Sequence, residues 1–204
     1  MDLERIMNKI KRHTPTVLGH EHFTKSAVLL PLVQKDDELH VLFEVRSENM
    51  RRQPGEICFP GGRIEAQDED ARAAAIRETT EELGISEKKI SDVHPLDYLV
   101  TAFGMIVYSH AGLIITDEQF DPNPFEVEEI FTVPLSFFLK TKPEIYHVNL
   151  NVQPEEKFPF ERIPGGENYD WRTSQIDEYF YHYNDKVIWG LTARILSHFV
   201  EMIR

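Results

Sequence analysis

The most informative stretch of the sequence is residues 77–82, R-E-T-T-E-E, which contains three closely spaced glutamates. On a helix, Glu81 and Glu82 lie three and four residues after Glu78, so the three carboxylates project from roughly one face. Such a face repels itself unless a cation sits on it. Carboxylate oxygens are hard ligands that favour Mg²⁺ or Mn²⁺, and a magnesium ion held by one or two carboxylates keeps positions open for water and phosphates. The spacing therefore predicts a divalent metal site for pyrophosphate hydrolysis, in which a metal-bound water becomes the nucleophile.

The alternative to a metal site is a solvated helix surface, which is what an isolated E-x-x-E-E usually is. The flanking residues help to choose between the two. A double glycine at 61–62 precedes the predicted helix and Gly84 follows it, and this placement favours a functional site. Arg77 lies beside the glutamates. We expect it to pair with Glu81 or Asp68 and so to hold the carboxylates in position.

A helix over residues 71–83 is predicted to present these glutamates. Three consecutive alanines favour it, and acidic residues are expected in its first turn, where the helix dipole stabilises them. Asp68 or Asp70 marks its start and Gly84 its end. Residues 46–62 are punctuated by proline and glycine and should be mostly loop, with a short strand at 57–59 followed by a tight turn.

The remaining elements come from hydrophobic periodicity. Further strands are predicted at 27–33, 39–45, 97–107, 111–115, 129–133, 145–150 and 179–183. Helices are predicted at 134–139 and 189–203, within a C-terminal helical segment at 187–203. Residues 1–20 are an N-terminal helical extension whose apolar residues, Leu3, Ile6, Met7 and Ile10, are expected to pack on the domain or a partner. Mixed strands with one central and one terminal helix predict the α/β class, an α/β/α sandwich around a mixed β-sheet.

Composition narrows the function further. The chain has 204 residues and is 41% hydrophobic, which fits a single domain spanning 1–204. Its 22 basic and 35 acidic residues give a net charge of −13, which disfavours nucleic acid as a partner. Cys58 is the only cysteine, so no internal disulfide forms, and we expect it to be a small buried hydrophobic residue. The start of the chain lacks the pattern of a signal peptide, and the uncharged stretch 98–115 favours strands over a membrane helix, so we expect a cytoplasmic protein without membrane contact.

Residues 61–85 resemble the Nudix box, G-x5-E-x7-R-E-U-x-E-E-x-G-U, where U is a bulky aliphatic residue. Asp68 stands in place of the first glutamate, one residue is inserted before Arg77, and Thr79 replaces an aliphatic residue. The resemblance implies a Nudix hydrolase that acts on phosphorus-containing anhydrides with Mg²⁺ or Mn²⁺. It implies Glu78 and Glu82 as metal ligands, with Glu81 orienting or sharing in them.

The preceding segment, residues 45–62, resembles the signature of the coenzyme A pyrophosphatase branch of this family. That signature is L-L-T-x-R-S-x-x-L-R-x-H-x-G-x-x-x-F-P-G-G-x-x-D. Gln53 replaces the histidine and Glu65 the aspartate. Residues 187–196 also resemble this branch, so the similarity covers most of 26–200. The resemblance implies hydrolysis of coenzyme A or acyl-CoA to 3′,5′-ADP and 4′-phosphopantetheine or its acyl form.

Three arginines stand immediately before the predicted metal site. Arg46, Arg51 and Arg52 are expected to bind substrate phosphates together with Gly61 and Gly62, since a guanidinium group binds phosphate oxygens bidentately. For any single arginine, pairing with surface glutamates is about as good an interpretation. Together they favour phosphate binding.

A carboxylate on the loop before residue 130 is expected to act as general base or as an additional metal ligand, as is frequent in the superfamily. Glu126 is the preferred residue, and Glu128 and Glu129 are alternatives of similar standing. For each one individually, a solvated loop carboxylate remains the commoner case.

Two other functions remain open on the sequence. One is a broader nucleoside-diphosphate hydrolase that acts on a substrate such as ADP-ribose. The other is a Nudix-fold sensor that binds a nucleotide without cleaving it, although the complete R-E-x-x-E-E core argues against it. In every case the expected partner is a small nucleotide, and a homodimer is possible.

Overall fold

The computed structural model describes residues 2–35, 37–115 and 119–204. The strands are β1 (Thr24–Lys35), β2 (Glu38–Arg46), β3 (Ile57–Cys58), β4 (Gly61–Arg63), β5 (Ile90–Pro95), β6 (Leu99–Val100), β7 (Met105–Ile114), β8 (Val127–Pro134), β9 (Glu144–Leu150), β10 (Ser174–Tyr183) and β11 (Lys186–Trp189). The helices are α1 (Leu3–Lys11), α2 (Ala71–Leu83), α3 (Leu135–Lys140) and α4 (Gly190–Met202).

The principal sheet is mixed and is centred on β1. Strand β1 runs parallel to β7 and antiparallel to β2 and β4, and the central path of the sheet is β3-β2-β1-β7-β5. Strand β8 adds to β2 and β6 adds to β7. The position of β4 beside β1 places the double glycine at the end of the sheet that meets α2.

Helices cover both faces of this sheet. Ala27 and Leu29 of β1 pack with Ala74 and Ala75 of α2 in one buried cluster. Leu30, the next residue of β1, belongs to a larger cluster with side chains of α3 and α4. Since successive strand residues point to opposite faces, the sheet is sandwiched between α2 and the α3–α4 pair. The predicted α/β/α sandwich around a mixed sheet is confirmed.

Local sequence explains the limits of α2. The Asp70 side chain accepts a hydrogen bond from the Ala73 amide at 2.8 Å, so it caps the helix N-terminus. Gly84 ends the helix in the left-handed region, at φ 64°. The expectation of acidic residues inside the first turn is wrong, because that turn contains none and the acidic side chain acts from the cap position instead.

The strands predicted at 97–107 and 111–115 are also wrong. Residues 105–114 form one continuous strand, β7, which pairs with β1 from Thr24↔Met105 to Val33↔Ile114. Before it, the Thr101 hydroxyl accepts a hydrogen bond from the Met105 amide at 3.2 Å and closes a turn. The pairing with β1, which is remote in sequence, sets the limits of β7. Three strands were not predicted: β5, whose composition is too polar to stand out, β4, which takes the place of the expected tight turn, and β11, which lies where the C-terminal helical segment was expected.

A second sheet, β11-β10-β9, is antiparallel and three-stranded. The C-terminal helical segment expected at 187–203 is shorter, because residues 186–189 form β11 and the helix begins at Gly190.

In the N-terminal extension, α1 covers Leu3–Lys11 and none of its residues is buried, so it does not pack on the rest of the described chain. Packing on a partner stays a prediction. Within the described residues, no helix combines the length and apolar character needed to cross a bilayer.

Candidate active site

The double glycine of β4 brings the backbone against two carboxylates of α2. The Gly61 amide donates a hydrogen bond to Glu82 Oε2 at 2.7 Å. A Cβ atom at Gly62 would lie 2.5 Å from the Glu78 carboxyl carbon. Any larger residue at 62 would therefore push Glu78 away, so Gly62 is required for this close approach.

Arg77 ties the loop after β4 to the helix. Its guanidinium donates to both carboxylate oxygens of Asp68, at 2.9 and 3.0 Å, and lowers the pKa of that carboxyl. It also donates to Glu78 at 2.9 Å and Glu81 at 3.2 Å. Arg77 thus pairs with both of the partners proposed for it from the sequence, and these contacts fix the side of α2 that faces β4.

The three glutamates of α2 are not equivalent. Glu82 is only 5% exposed, and Glu78 is half-buried. The Glu81 side chain is 55% exposed and turns toward Arg77. Burial therefore differs along the predicted carboxylate face: Glu82 is the most buried of the three glutamates and Glu81 the most exposed.

Glu126 reaches the same cluster from the loop before β8. The Asn123 amide donates to the Glu82 carbonyl at 3.0 Å, and the Asn123 side chain donates to Glu126 Oε2 at 2.9 Å. The Glu126 carbonyl accepts from the Ser47 amide at 2.8 Å. The charge of Glu126 helps to raise the pKa values of Glu78 and Glu82, so the three carboxyl groups interact electrostatically.

The two alternative loop carboxylates lie outside this arrangement. Glu128 and Glu129 are exposed, and Glu129 pairs with Lys186 at 2.5 Å. Glu126 is the loop carboxylate that the structure brings to the α2 cluster.

One further carboxylate of the cluster, Glu44, was not predicted from the sequence. It lies on β2, is 1% exposed, and Oε1 accepts a hydrogen bond from the Cys58 thiol at 3.2 Å. Cys58 therefore has a polar role, which corrects the expectation of a purely hydrophobic residue. The available signal was one acidic residue inside the otherwise apolar run Val41–Val45, at the position where the coenzyme A branch pattern has threonine.

Burial and mutual repulsion keep the deep carboxyl groups from ionising readily. Desolvation raises the pKa of Glu82 to about 9, and the nearby charge of Glu44 adds to this effect. Desolvation likewise raises the pKa of Glu44 to about 7, with the Glu126 and Glu78 charges contributing. Burial also raises the pKa of Glu78, against the lowering effect of Arg77. Such a cluster favours a bound cation.

The three arginines predicted to bind substrate occupy different environments. Arg46 is half-buried, and its charge lowers the pKa of Glu44, so it lies beside the carboxylates. Its Nε is buried and has no hydrogen-bond partner among the described residues. Arg51 and Arg52 are exposed on the turn between β2 and β3, and no contact within the described structure joins them to the carboxylates. The structure therefore brings Arg46 to the site and leaves the other two at the surface.

The match to known proteins fits this geometry. Residues 23–151 match the NUDIX domain, and they include β4, α2 and the loop that carries Glu126. The chain belongs to the Nudix hydrolase family. The family predicted from the glutamate and glycine spacing is confirmed.

Two relatives carry informative names. Peroxisomal coenzyme A diphosphatase NUDT7 of Mus musculus is 36% identical over 67% of this chain and 57% of its own length. Peroxisomal coenzyme A diphosphatase ndx-8 of Caenorhabditis elegans is 38% identical over 57% of this chain and 51% of its own length. The chain therefore spans little more than half the length of these curated relatives.

Other matches extend the likeness over more of the chain. The uncharacterized Nudix hydrolase NudL of Photorhabdus laumondii is 32% identical over 88% of this chain and 84% of its own length. A MutT/nudix family protein of Enterococcus faecalis has a similar fold, with a TM-score of 0.51, 15% identity, and coverage of 100% of this chain and 70% of that one.

Nudix hydrolases generally use divalent metal ions, and the donor atoms of this Nudix site fit one. Four side chains offer hard oxygen ligands: Glu44, Glu78, Glu82 and Glu126. Glu44 Oε2 is buried without a hydrogen-bond partner among the described residues. Across 2–35, 37–115 and 119–204, however, no three acidic, histidine or cysteine side chains are already gathered as a metal-ligand group. Two carboxylate oxygens already have partners, since Glu78 Oε1 accepts a hydrogen bond from Arg77 and Glu82 Oε2 accepts one from the Gly61 amide. A metal here would take the remaining oxygens and complete its shell with water.

The raised pKa values predict how the stability of the metal-free Nudix domain depends on pH. A carboxyl whose folded-state pKa exceeds its unfolded value stabilises the fold when protonated, and this contribution disappears as pH rises through the folded pKa. For Glu44 and Glu82 the loss should run from the ordinary value of 4.5 to about 7 and about 9. We expect the melting temperature in EDTA to fall by about 5 °C or more between pH 5 and pH 9.

Two comparisons isolate this effect from the general self-repulsion of an acidic chain. Excess Mn²⁺ should flatten the profile, because a bound cation compensates the ionised carboxylates. Glu82→Gln should also reduce the slope, because its side chain stays neutral. Equal slopes for the wild type and this variant in EDTA would contradict the prediction.

Arg77 should act through the positions of its carboxylate partners. We expect Arg77→Lys to lower kcat about tenfold, because an ammonium group cannot reproduce the two-pronged contact with Asp68 while also holding Glu78. Steady-state kinetics on a diphosphate substrate measure the effect. Arg72→Lys is the matched control, since Arg72 is on the same helix and, among the described residues, donates only to the Val93 carbonyl, at 3.4 Å. Equal kcat values for the two variants would argue against the positioning role.

Proposed function

We propose that this protein hydrolyses the diphosphate bond of coenzyme A or acyl-CoA with Mg²⁺ or Mn²⁺. The products are 3′,5′-ADP and 4′-phosphopantetheine or its acyl form. The observation that carries the diphosphate chemistry is the convergence of Glu44, Glu78, Glu82 and Glu126, from three separate parts of the chain, beside the double glycine. In a chain of net charge −13, such a site needs a cation before it can accept a phosphate.

Each side chain has a distinct part in the reaction. Glu78 and Glu82 would hold the metal ion, which would supply charge neutralisation and a bound water of lowered pKa. Glu126 is assigned as the group that would accept the proton of the attacking water, through Oε1, since Oε2 already accepts a hydrogen bond from the Asn123 side chain. Because Gly61 and Gly62 have no side chains, they leave space for a phosphate to approach the carboxylates.

Phosphate binding falls first to Arg46. Its half-buried guanidinium lies beside the carboxylates, and its Nε has no hydrogen-bond partner in the described structure, so a donor is available for a phosphate oxygen. Arg51 and Arg52 lie on the exposed turn that follows β2. We assign them to the 3′-phosphate, which lies away from the reacting diphosphate.

The choice of coenzyme A is supported by two features. The first is the arginine-containing segment before the Nudix box, which resembles the coenzyme A pyrophosphatase pattern. The second is the naming of the mouse and nematode relatives as coenzyme A diphosphatases. ADP-ribose hydrolysis and nucleotide binding without turnover are the competing outcomes of the test.

The test is a product assay with purified protein in Mg²⁺ and in Mn²⁺. Coenzyme A, acetyl-CoA, dephospho-coenzyme A, ADP-ribose and a dinucleotide are compared side by side by chromatography. We expect 3′,5′-ADP from coenzyme A, and a kcat/KM about tenfold lower for dephospho-coenzyme A because it lacks the 3′-phosphate. Preference for ADP-ribose would favour the broader hydrolase, and tight coenzyme A binding without products would favour the sensor.

Cytoplasmic location and a homodimer stay predictions. Light scattering of the purified chain tests the dimer, and imaging of the tagged protein in its own cells tests the location.

A further inference from the structure

Glu44 occupies a position that is costly for a carboxyl group. It is 1% exposed on β2, and its neighbours Leu42 and Phe43 are fully buried. Burying an acidic group is energetically unfavourable unless partners satisfy it. The partners of both Glu44 carboxylate oxygens therefore need to be identified.

Only one of those oxygens has a partner in the described structure. Oε1 accepts the Cys58 thiol at 3.2 Å, whereas Oε2 is buried without a hydrogen bond. A thiol is a weak donor and does little to offset the cost of burial. Oε2 is therefore available to a ligand from outside the chain.

The surroundings indicate the charge of that ligand. Glu44 interacts electrostatically with Glu78, Glu82 and Glu126. Arg46 opposes this repulsion from the same strand, yet it forms no ion pair with Glu44 in the described structure. A buried oxygen without a hydrogen-bond partner, on a carboxyl group that feels the charges of three others, suits a cation and repels an anion.

We infer that Glu44 is a ligand of the catalytic metal ion through Oε2, so that the ion is held between β2 of the sheet and Glu82 of α2. The inference rests on the metal-dependent hydrolysis proposed above and is independent of the choice of coenzyme A. It adds a ligand outside the glutamate motif of α2. The ion then joins two layers of the sandwich, and the buried position of Glu44 is explained by the ligand that it holds.

The test compares metal binding by the wild type, Glu44→Gln and a matched control. Glutamine has the same shape without the charge, so the variant should fold, which circular dichroism checks. Glu38→Gln is the control, because Glu38 begins the same strand and lies outside the cluster. Titration calorimetry with Mn²⁺ alone should show roughly tenfold or greater weakening for Glu44→Gln and no change for Glu38→Gln.

A second measurement reports ligation directly. Luminescence lifetimes of bound Eu³⁺ in H₂O and D₂O count the water molecules on the metal. Glu44→Gln should carry about one more bound water than the wild type, because water replaces the lost ligand oxygen. Unchanged affinity together with an unchanged water count would overturn the inference and leave Glu44 as a buried neutral acid.

The two proposals fail in different ways. If the wild type itself binds neither Mn²⁺ nor Eu³⁺, the metal-dependent function fails. If the wild type binds both and Glu44→Gln matches it, only the assignment of Glu44 fails. Weakening by Glu78→Gln alongside an unaffected Glu44→Gln would place the ion on α2 alone.

Discussion

Glu82→Gln should lower kcat about 1000-fold, equivalent to about 4 kcal/mol of transition-state stabilisation, while the protein stays folded. Glu82 is the deepest carboxylate of α2, its Oε2 is fixed by the Gly61 amide, and Glu44 and Glu126 interact with it. Glutamine keeps the size of the side chain but loses the charge that a divalent cation needs. Steady-state kinetics with saturating Mn²⁺ give the measurement.

Stability should move in the opposite direction from activity. Because burial and neighbouring carboxylates raise the pKa of Glu82 to about 9, this side chain is neutral below that pH in the metal-free protein, and glutamine keeps it neutral at higher pH as well. We therefore expect an equal or higher melting temperature for Glu82→Gln in EDTA. A variant that loses activity only through unfolding would contradict the catalytic assignment.

Glu81→Gln is the matched control on the same helix. Glu81 is largely exposed and contacts Arg77 at 3.2 Å, so its loss should cost about tenfold or less. The expected order of effects, with Glu82 far above Glu81, follows from burial alone. Equal losses at the two positions would show that exposure does not rank the carboxylates.

Gly62→Ala is expected to lower kcat about 100-fold with only a modest fall in melting temperature. The new Cβ would lie 2.5 Å from the Glu78 carboxyl carbon, so the carboxylate must move by about an ångström, and displacements of that size cost about two orders of magnitude. The fold should persist, because the group displaced is the end of a flexible side chain. Kinetics and thermal melting of the same preparation separate the two effects.

Gly112→Ala serves as the steric control. Its Cβ would lie 2.8 Å from a Val93 methyl group in the core on β7, away from the carboxylates. We expect a lower melting temperature and an unchanged kcat for the folded protein. In a Glu78→Gln background the effect of Gly62→Ala should largely disappear, because Glu78 is the group through which it acts. A full 100-fold loss in that background would reject the mechanism.

The sequence predicted α2 well because the signals of a helix are local. Asp70 at the cap, the alanines at 73–75 and Gly84 at the end lie within fifteen residues of one another, and the structure places the helix at Ala71–Leu83. The spacing of Glu78 and Glu82 fixes their relation on that helix. The family also followed from this region, because its motif is a local run of glycines, arginine and glutamates.

Strand limits were less well predicted because they depend on partners far along the chain. Strand β7 begins at Met105 because it pairs there with Thr24, about eighty residues earlier. Strand β4 is three residues long and gains its structure from β1. Neither pairing leaves a clear trace in local composition.

For the site, the sequence by itself determined how the glutamates of α2 are arranged, because an α-helix of fixed period places residues four apart on one face. Only the tertiary structure decided which other groups join it. Glu44 lies on β2 and Glu126 on the loop before β8, both far from α2 in sequence. The packing of the sheet against the helix brings them near Glu82. The same packing left Arg51, Arg52 and Glu81 exposed, since burial is a property of the assembled layers and no residue carries it alone.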